Sequence, residues 1–176
     1  MNFTDPSFNL EKVPVQPGQT VADFGAGSGS YSLEAARQAG SKGRVLAVEI
    51  QKELLDRIKN QATERHLGNV EVIWGNVDKL GGSRLADRSV DVVIASNILF
   101  QVDSPYILGQ EVKRVLRSSG RLLVVDWLDS FSFIGPPPDQ VVGKESALEI
   151  FAGVGFKVVK EFSAGPYHYG LVFEQV

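Results

Sequence analysis

The stretch Val21-Ala22-Asp23-Phe24-Gly25-Ala26-Gly27-Ser28-Gly29-Ser30 decides the fold of this chain. It begins with apolar residues, reaches a carboxylate at Asp23 and then places glycine at every second position from Gly25 to Gly29. Glycine adopts positive φ readily and leaves no Cβ between the backbone and a ligand. A helix that starts at Ser30 would offer free backbone N–H groups to the same ligand. The stretch therefore predicts a strand, a ligand-binding turn and a helix.

The spacing of these glycines separates two classes of ligand. The dinucleotide-binding fingerprint is G-x-G-x-x-G, whereas this loop has the pattern G-x-G-x-G and carries Ser30 where that fingerprint has its last glycine. Asp23, directly before the loop, would repel a pyrophosphate but can accept hydrogen bonds from an ammonium group. The loop thus favours a cofactor that bears an amino acid. A tight turn whose glycines serve packing alone is the structural alternative.

Outside this stretch, short apolar runs alternate with segments of helical spacing, which is typical of an α/β protein with a parallel sheet. The predicted strands are residues 20–24, 44–50, 70–74, 90–95 and 121–127, and the predicted helices are residues 30–38, 52–65, 105–116 and 144–152. Ser118-Ser119-Gly120 is expected to separate the helix over residues 105–116 from the fifth strand. Residues 157–162 and 169–173 predict a terminal antiparallel hairpin. Residues 131–142 form the one long irregular connection, a candidate lid or binding loop.

Composition limits the classes of function. The chain has 176 residues, of which 43% are hydrophobic and 22% charged, as expected for a single globular domain over residues 1–176. Its 176 residues include no cysteine, which excludes disulfides, thiolate metal sites and a cysteine nucleophile, and we predict no metal site. A net charge of −3 without a basic run argues against nucleic acid, and no apolar segment is long enough for stable membrane insertion. We expect a cytoplasmic protein with a small-molecule substrate.

Polar residues also follow the next three predicted strands. Glu49 ends the second strand, where a carboxylate can accept hydrogen bonds from both ribose hydroxyls of an adenosine; a first-turn acid of the next helix is the alternative. Gly75-Asn76-Val77-Asp78 follows the third strand. An amide or carboxylate here can bind an adenine amino group while Val77 packs on the base, with Asn76 and Val77 preferred over Asp78 and a plain turn as the alternative. Ser96 and Asn97 follow the fourth strand.

These residues resemble the motifs of class I S-adenosylmethionine-dependent methyltransferases. The pattern Asp23-x-Gly25-x-Gly27-x-Gly29 is similar to their motif I, and Glu49 to their ribose-binding acid. The segments 75–78, 96–97 and 116–122 resemble their later motifs, in the expected order. The resemblance covers residues 14–128. The chain is most similar to the type 11 methyltransferases, which include enzymes like those of ubiquinone and menaquinone biosynthesis. The resemblance implies a three-layer Rossmann-like fold with a seven-stranded, mostly parallel sheet in the order 3-2-1-4-5-7-6.

The resemblance also implies a cofactor and a reaction. S-adenosylmethionine would lie across the carboxyl ends of strands one, two and four. The predicted cofactor-binding residues are Asp23, Phe24, Gly25, Ala26, Gly27, Gly29, Glu49, Ile50, Asn76, Val77 and Ser96. Asn76 departs from the family, which often carries aspartate there.

The predicted reaction is in-line methyl transfer to a small molecule or a lipid-like, quinone-type acceptor, with His168 and Asn97 as candidate catalytic residues. A structural role is the alternative for His168, because it is a strand-edge histidine flanked by tyrosines. Asp126, Trp127 and Tyr169 are weaker candidates on the acceptor side. Two other functions stay open: a nicotinamide-dependent oxidoreductase, and a non-catalytic module that binds S-adenosylmethionine or S-adenosylhomocysteine.

Overall fold

The computed structural model describes residues 4–132 and 134–176. The strands are β1 (Thr20–Phe24), β2 (Arg44–Glu49), β3 (Val70–Trp74), β4 (Val90–Ser96), β5 (Leu116–Trp127), β6 (Phe156–Ser163) and β7 (His168–Gln175). They form one sheet in the order β3-β2-β1-β4-β5-β7-β6. The first five strands are mutually parallel, and β7 runs antiparallel to both of its neighbours. This is the predicted seven-stranded α/β fold.

Helices cover both faces of the sheet. They are α1 (Pro6–Leu10), α2 (Ser30–Ala39), α3 (Lys52–Glu64), α4 (Pro105–Val115) and α5 (Lys144–Val154). Because successive strand residues point to opposite faces, Val21 packs in one apolar cluster with α1 and α2, and Ala22 packs in another with α4 and α5. The central strands are buried on both sides, which explains why their sequences are almost continuously apolar.

The topology brings the three decisive strand ends together. Strand β1 lies between β2 and β4, and Phe24 at its end pairs with Val48 of β2 and with Ala95 of β4. The loops that follow β1, β2 and β4 therefore leave the sheet side by side at its carboxyl edge. Open α/β sheets bind ligands at this edge, where the strand order reverses direction.

Helix α1 was not among the predicted elements. Asp5 caps it, since its Oδ1 accepts hydrogen bonds from the backbone N–H groups of Ser7 (3.0 Å) and Phe8 (3.2 Å). Pro6 occupies the first helical position, where its missing N–H is not needed. An N-cap acid followed by proline is a recognised start signal, so the sequence carried a local indication of this helix. Its five residues are too short for helical periodicity to reveal it.

The predicted break at Ser118-Ser119-Gly120 is wrong as a strand boundary. Strand β5 begins at Leu116, directly after α4, and runs to Trp127. The turn-forming residues mark a change of register instead: Val90 pairs with Leu116, whereas Val92 pairs with Arg121. Residues 117–120 thus lie outside the regular ladder, and the early pairing of Leu116 with β4 is a tertiary contact that the turn signal does not encode.

Two further features bear on the earlier expectations. Within the predicted irregular connection 131–142, the described residues contain only one isolated bridge, between Phe131 and Ile134, and Phe133 lies outside the described residues. Over residues 4–132 and 134–176, no helix combines the length and apolar character that crossing a bilayer requires.

Candidate functional site

Two adjoining cavities lie at the carboxyl edge of the sheet. The first, of about 260 Å³, lies at the ends of β1 and β4, and the second, of about 300 Å³, lies at the ends of β2 and β3. Gly25, Gly27 and Gln101 line both cavities. The glycine loop therefore forms the boundary between two compartments that an elongated ligand would occupy together.

The glycine loop has the backbone conformation that its sequence predicts. Gly25, Gly27 and Gly29 all have positive φ, at 68°, 53° and 82°. A Cβ at Gly29 would lie 2.7 Å from Cγ1 of Ile58, and one at Gly25 would collide with Ile98. A Cβ at Gly27 would approach no described atom outside its immediate neighbours more closely than 3.8 Å. Two glycines thus serve packing, whereas Gly27 presents bare backbone to the cavities.

Glu49 projects from the end of β2 into the second cavity. Its Oε2 accepts a hydrogen bond from the N–H of Gly27 (3.0 Å), and its Oε1 accepts from the N–H groups of Ile50 (2.8 Å) and Gln51 (3.0 Å). These bonds fix the carboxylate of a residue that is only 6% exposed. A buried carboxylate at a strand end, with acceptor capacity left on Oε2, suits a ribose diol.

The far side of the second cavity combines apolar and polar groups. Leu54 and Val77 supply apolar surface, and Asn76 and Asp78 supply hydrogen-bonding groups. Oδ1 of Asn76 accepts a hydrogen bond from the N–H of Asp78 (2.9 Å), and Oδ1 of Asp78 accepts one from the N–H of Asp103 (3.0 Å). Partial burial raises the pKa of Asp78. Asp78, placed behind Asn76 in the sequence analysis, thus lines the cavity beside it.

Asp23 is the one acidic side chain that lines the first cavity within the described chain. It is 2% exposed, and Oγ of Ser32 donates a hydrogen bond of 2.6 Å to its Oδ2. Burial raises its pKa to about 6, and the neighbouring charge of Glu49 adds to this effect while the bonds from Ser32 oppose it. Ser96 and Tyr31 line the same cavity. Such a site suits an ammonium group.

Asn97 and His168 meet across the sheet. Asn97 lines the first cavity, in the left-handed backbone region (φ 53°), and its N–H donates to the carbonyl of Val125 at 2.8 Å. Its Oδ1 lies 2.8 Å from Nε2 of His168. His168 is fully buried behind Asn97 and does not itself line the cavity. Burial lowers the pKa of His168 to about 4, so that its imidazole is neutral at physiological pH.

Asp126 supports the turn that follows β4. Its Oδ2 accepts hydrogen bonds from the N–H groups of Ile98 (3.1 Å) and Leu99 (2.9 Å), and its Oδ1 accepts from the N–H of Trp127 (2.9 Å). The carboxylate is fully buried, and burial raises its pKa to about 6. Asp126 therefore holds the turn that carries Asn97, which lines the first cavity, and Ile98, which lines the second, while its own side chain lies outside both linings.

The predicted cofactor residues fall into two groups. Those that line one cavity or both are Asp23, Gly25, Ala26, Gly27, Glu49, Ile50, Asn76, Val77 and Ser96. Phe24 and Gly29 do not line either cavity: the Phe24 side chain lies in the core, and Gly29 is the N-cap of α2. Both are structural neighbours of the loop.

Six residues that line the first cavity were not among the predicted site residues: Thr4, Pro6, Ser28, Ser30, Tyr31 and Gln101. Tyr31 follows the glycine loop at the start of α2, and Nδ2 of Asn9 donates to its hydroxyl at 2.7 Å. This buried bond ties α1 to α2 and so keeps the N-terminal segment against the cavity. Only the capping signal of Asp5-Pro6 pointed to an ordered N-terminal segment, and no local pattern indicated where it would pack.

The donor and acceptor groups match one kind of ligand. The second cavity offers a carboxylate for a ribose and apolar and polar groups for a base, while the first offers a carboxylate for an ammonium group. Gly27 joins them with unobstructed backbone. A nucleoside linked to an amino acid fits this arrangement, whereas the pyrophosphate of a dinucleotide at this loop would be repelled by the carboxylate of Asp23.

Comparison with known proteins agrees with this geometry. A family model described as a methyltransferase domain matches residues 16–152. The chain belongs to this methyltransferase family. Its fold is that of the S-adenosylmethionine-dependent methyltransferases: one from Aquifex aeolicus aligns with a TM-score of 0.89 and 28% identity, over 99% of this chain and 91% of that one. The predicted class I family, its fold and its cofactor, S-adenosylmethionine, are thereby confirmed.

Two curated relatives illustrate the range of methyltransferases to which the chain is similar. A ubiquinone/menaquinone biosynthesis C-methyltransferase of Hahella chejuensis is 32% identical over 122 residues, which are 68% of this chain and 47% of the relative. An arsenite methyltransferase of Halobacterium salinarum is 29% identical over 130 residues, which are 72% of this chain and 32% of the relative. The methyltransferase chain thus spans less than half the length of either relative.

Proposed function

We propose that this chain transfers the methyl group of S-adenosylmethionine to a small-molecule acceptor, with a lipid-like or quinone-type compound as the favoured class. One observation carries the proposal: two cavities meet at the bare backbone of Gly27, and each has a buried carboxylate at the end of a central strand, Asp23 in one and Glu49 in the other. The family match and the Aquifex aeolicus structure support the same function.

Each part of the cofactor has a proposed partner. Glu49 accepts hydrogen bonds from the ribose hydroxyls, Ile50 and Val77 pack around the adenine, and Asn76 and Asp78 lie at its amino group. Asp23 holds the ammonium group, and Ser96 donates to or accepts from the amino-acid portion. The backbone of Gly25 to Gly27 passes beneath the junction of the two portions. The remaining predicted residues, Phe24, Ala26 and Gly29, keep the loop in shape.

When bound, S-adenosylmethionine supplies a sulfonium methyl group, which moves to an acceptor lone pair while the sulfur keeps the electrons of the broken bond and becomes a thioether. The protein has to align the acceptor and exclude water, and positioning of this kind is sufficient for large rate increases. The acceptor releases any proton it carried to solvent. His168 is neutral and buried, so its proposed role is to hold Asn97, which faces the acceptor.

The similarity to a ubiquinone/menaquinone biosynthesis C-methyltransferase supports a quinone-type acceptor. Arsenite, the substrate named for one relative, is a soft ion that prefers thiolate ligands, and this chain supplies no cysteine. The exclusion of nucleic acid, the cytoplasmic location and the single domain over residues 1–176 stay predictions.

Calorimetry and turnover assays test the proposed function. S-adenosylmethionine and S-adenosylhomocysteine should both bind, whereas NAD should not; binding of NAD alone would favour the oxidoreductase. A panel of phenols, hydroquinones and carboxylic acids is then incubated with S-adenosylmethionine, and a product heavier by one methylene identifies the acceptor by mass spectrometry. Cofactor binding without turnover across the panel would favour the non-catalytic module.

A further inference from the structure

The side-chain amide of Asn97 has a defined orientation in the first cavity. Its Oδ1 atom faces Nε2 of His168 at 2.8 Å. Its Nδ2 atom neither bonds to any residue of the described chain nor counts among the buried unpartnered atoms. Asn97 lines the first cavity, so its amide nitrogen, the end of the side chain opposite the bond to His168, is the group available to a ligand there. The cavity therefore contains a hydrogen-bond donor that the cofactor-binding residues do not account for.

His168 maintains this orientation. An amide oxygen only accepts hydrogen bonds, and a neutral imidazole carries a single N–H, so the proton of His168 lies on Nε2 and Nδ1 is bare. Nδ1 is buried and has no partner among the described residues. The neutral state follows from full burial of the ring, which also packs against Trp127. Rotation of the Asn97 amide by half a turn would move the proton of His168 to Nδ1, where it would be buried without an acceptor among the described residues.

The backbone of Asn97 is equally well fixed. Its N–H donates to the carbonyl of Val125, and the next two N–H groups, of Ile98 and Leu99, donate to Asp126. The left-handed backbone (φ 53°) is one that asparagine tolerates better than most side chains. Backbone and side chain are thus both held, which is the condition for a donor that orients a ligand.

We propose that Asn97 Nδ2 donates a hydrogen bond to an oxygen of the methyl acceptor, and that His168 is a positioning residue that keeps this donor directed into the cavity. The acceptor is accordingly a small molecule with a carbonyl, phenolate or enolate oxygen next to the atom that is methylated. This inference rests on the proposed function and narrows its acceptor class. It excludes acceptors, such as simple alkylamines, that offer only N–H groups to Asn97.

Two bicyclic probes of the same shape test the donor. In protein saturated with S-adenosylhomocysteine, 1-indanone offers an oxygen acceptor, and 1-aminoindane offers an ammonium donor. Wild type should bind 1-indanone, with shifts of the Asn97 side-chain NH₂ signals in ¹⁵N–¹H spectra, and should discriminate against 1-aminoindane. Asn97→Asp keeps the shape of the side chain and the bond from His168, but it replaces the amide N–H donor with a carboxylate oxygen, which is an acceptor. It should lose about tenfold in affinity for 1-indanone and gain affinity for 1-aminoindane.

Two His168 variants test the positioning role. Gln places its Nε2 at the same number of bonds from Cβ as the Nε2 of histidine and can donate to Asn97, whereas Leu cannot. His168→Gln should retain the selectivity for 1-indanone, and His168→Leu should lose it while S-adenosylhomocysteine still binds. A purely structural histidine would change the melting temperature and weaken both probes equally. The ¹⁵N shifts of His168 in wild type should show a proton on Nε2, a measurement that needs no variant to fold.

Three results would overturn the inference. They are a proton on Nδ1 of His168, unchanged selectivity in a folded His168→Leu, and Asn97 NH₂ signals in wild type that neither probe moves at millimolar concentration. Each is distinct from failure of the proposed function, which would appear beforehand as a lack of S-adenosylhomocysteine binding.

Discussion

Oε2 of Glu49 accepts a hydrogen bond from the backbone N–H of Gly27 at 3.0 Å, and so joins the end of β2 to the loop that follows β1. The two residues are 22 positions apart in the chain. Oε1 of the same carboxylate binds the N–H groups of Ile50 and Gln51, which lead into α3. Glu49 therefore shapes both loops around the second cavity in addition to its proposed contact with the ribose.

Substitution of Glu49 should separate these two roles. Glu49→Ala removes every acceptor and should weaken S-adenosylhomocysteine binding by about 1–3 kcal/mol. Glu49→Gln keeps one acceptor oxygen but loses the charge, so its loss should be smaller. Calorimetry measures both, with Glu53→Gln, an exposed acid in the first turn of α3, as the control. A dissociation constant for Glu49→Ala equal to that of wild type would remove Glu49 from the ribose site.

Gly27 and Gly29 should respond differently to alanine although both have positive φ. Each substitution carries a backbone cost of about 1–2 kcal/mol. Gly29→Ala adds a collision with Ile58, 2.7 Å from the new Cβ, and should lower the unfolding free energy further. Gly27→Ala meets no close described atom but narrows both cavities, so it should mainly impair cofactor binding. Denaturant titrations and calorimetry on both variants test this, and normal binding by Gly27→Ala would contradict it.

The sequence could predict the sheet and the cofactor loop because their signals are local. Strands β1 and β3 begin and end where the apolar runs do, and the glycine spacing alone indicated positive φ at Gly27. Contacts between distant segments were not predictable in this way. His168 lies 71 residues from its partner Asn97, and an aromatic-flanked histidine at the start of a strand carries no indication that it is buried behind an amide. The approach of Thr4 to the first cavity likewise depends on how α1 packs.

Cofactor binding should depend on pH through Asp23. Its pKa is raised to about 6 by burial, so the carboxyl loses its charge just below neutral pH. Protonated Asp23 cannot attract an ammonium group, and the affinity for S-adenosylhomocysteine should therefore fall as the pH decreases through 6, by up to about tenfold per unit.

Unfolding does not explain such a loss. Because the pKa is raised in the folded state, the folded protein binds this proton more tightly than the unfolded chain, and Asp23 adds stability as the pH falls from about 6 towards 3.8. Asp23→Asn should bind weakly and without this pH dependence. Asp126→Asn should retain the dependence, since Asp126 titrates in the same range but lies outside both cavities. A pH-independent wild type would contradict the assignment of Asp23 to the ammonium group.

Asp78 should contribute to recognition of the adenine. Oδ1 of Asn76 already accepts the N–H of Asp78, and the other end of that amide is a donor, which does not complement the donor amino group of adenine. One carboxylate oxygen of Asp78 accepts a hydrogen bond from the N–H of Asp103, and the other bonds to no described residue. This second oxygen is therefore free to accept a hydrogen bond from the amino group of adenine.

Asp78→Asn would replace that acceptor with a donor and should weaken S-adenosylhomocysteine binding by about tenfold. S-inosylhomocysteine, which has a carbonyl in place of the amino group, should bind this variant at least as well as it binds wild type. Asp103→Asn is the control, because it keeps the backbone N–H that bonds to Asp78 and removes only the neighbouring charge of Asp103. If Asp78→Asn bound both ligands as wild type does, the amino group would be recognised through the remaining lone pair of Asn76 instead.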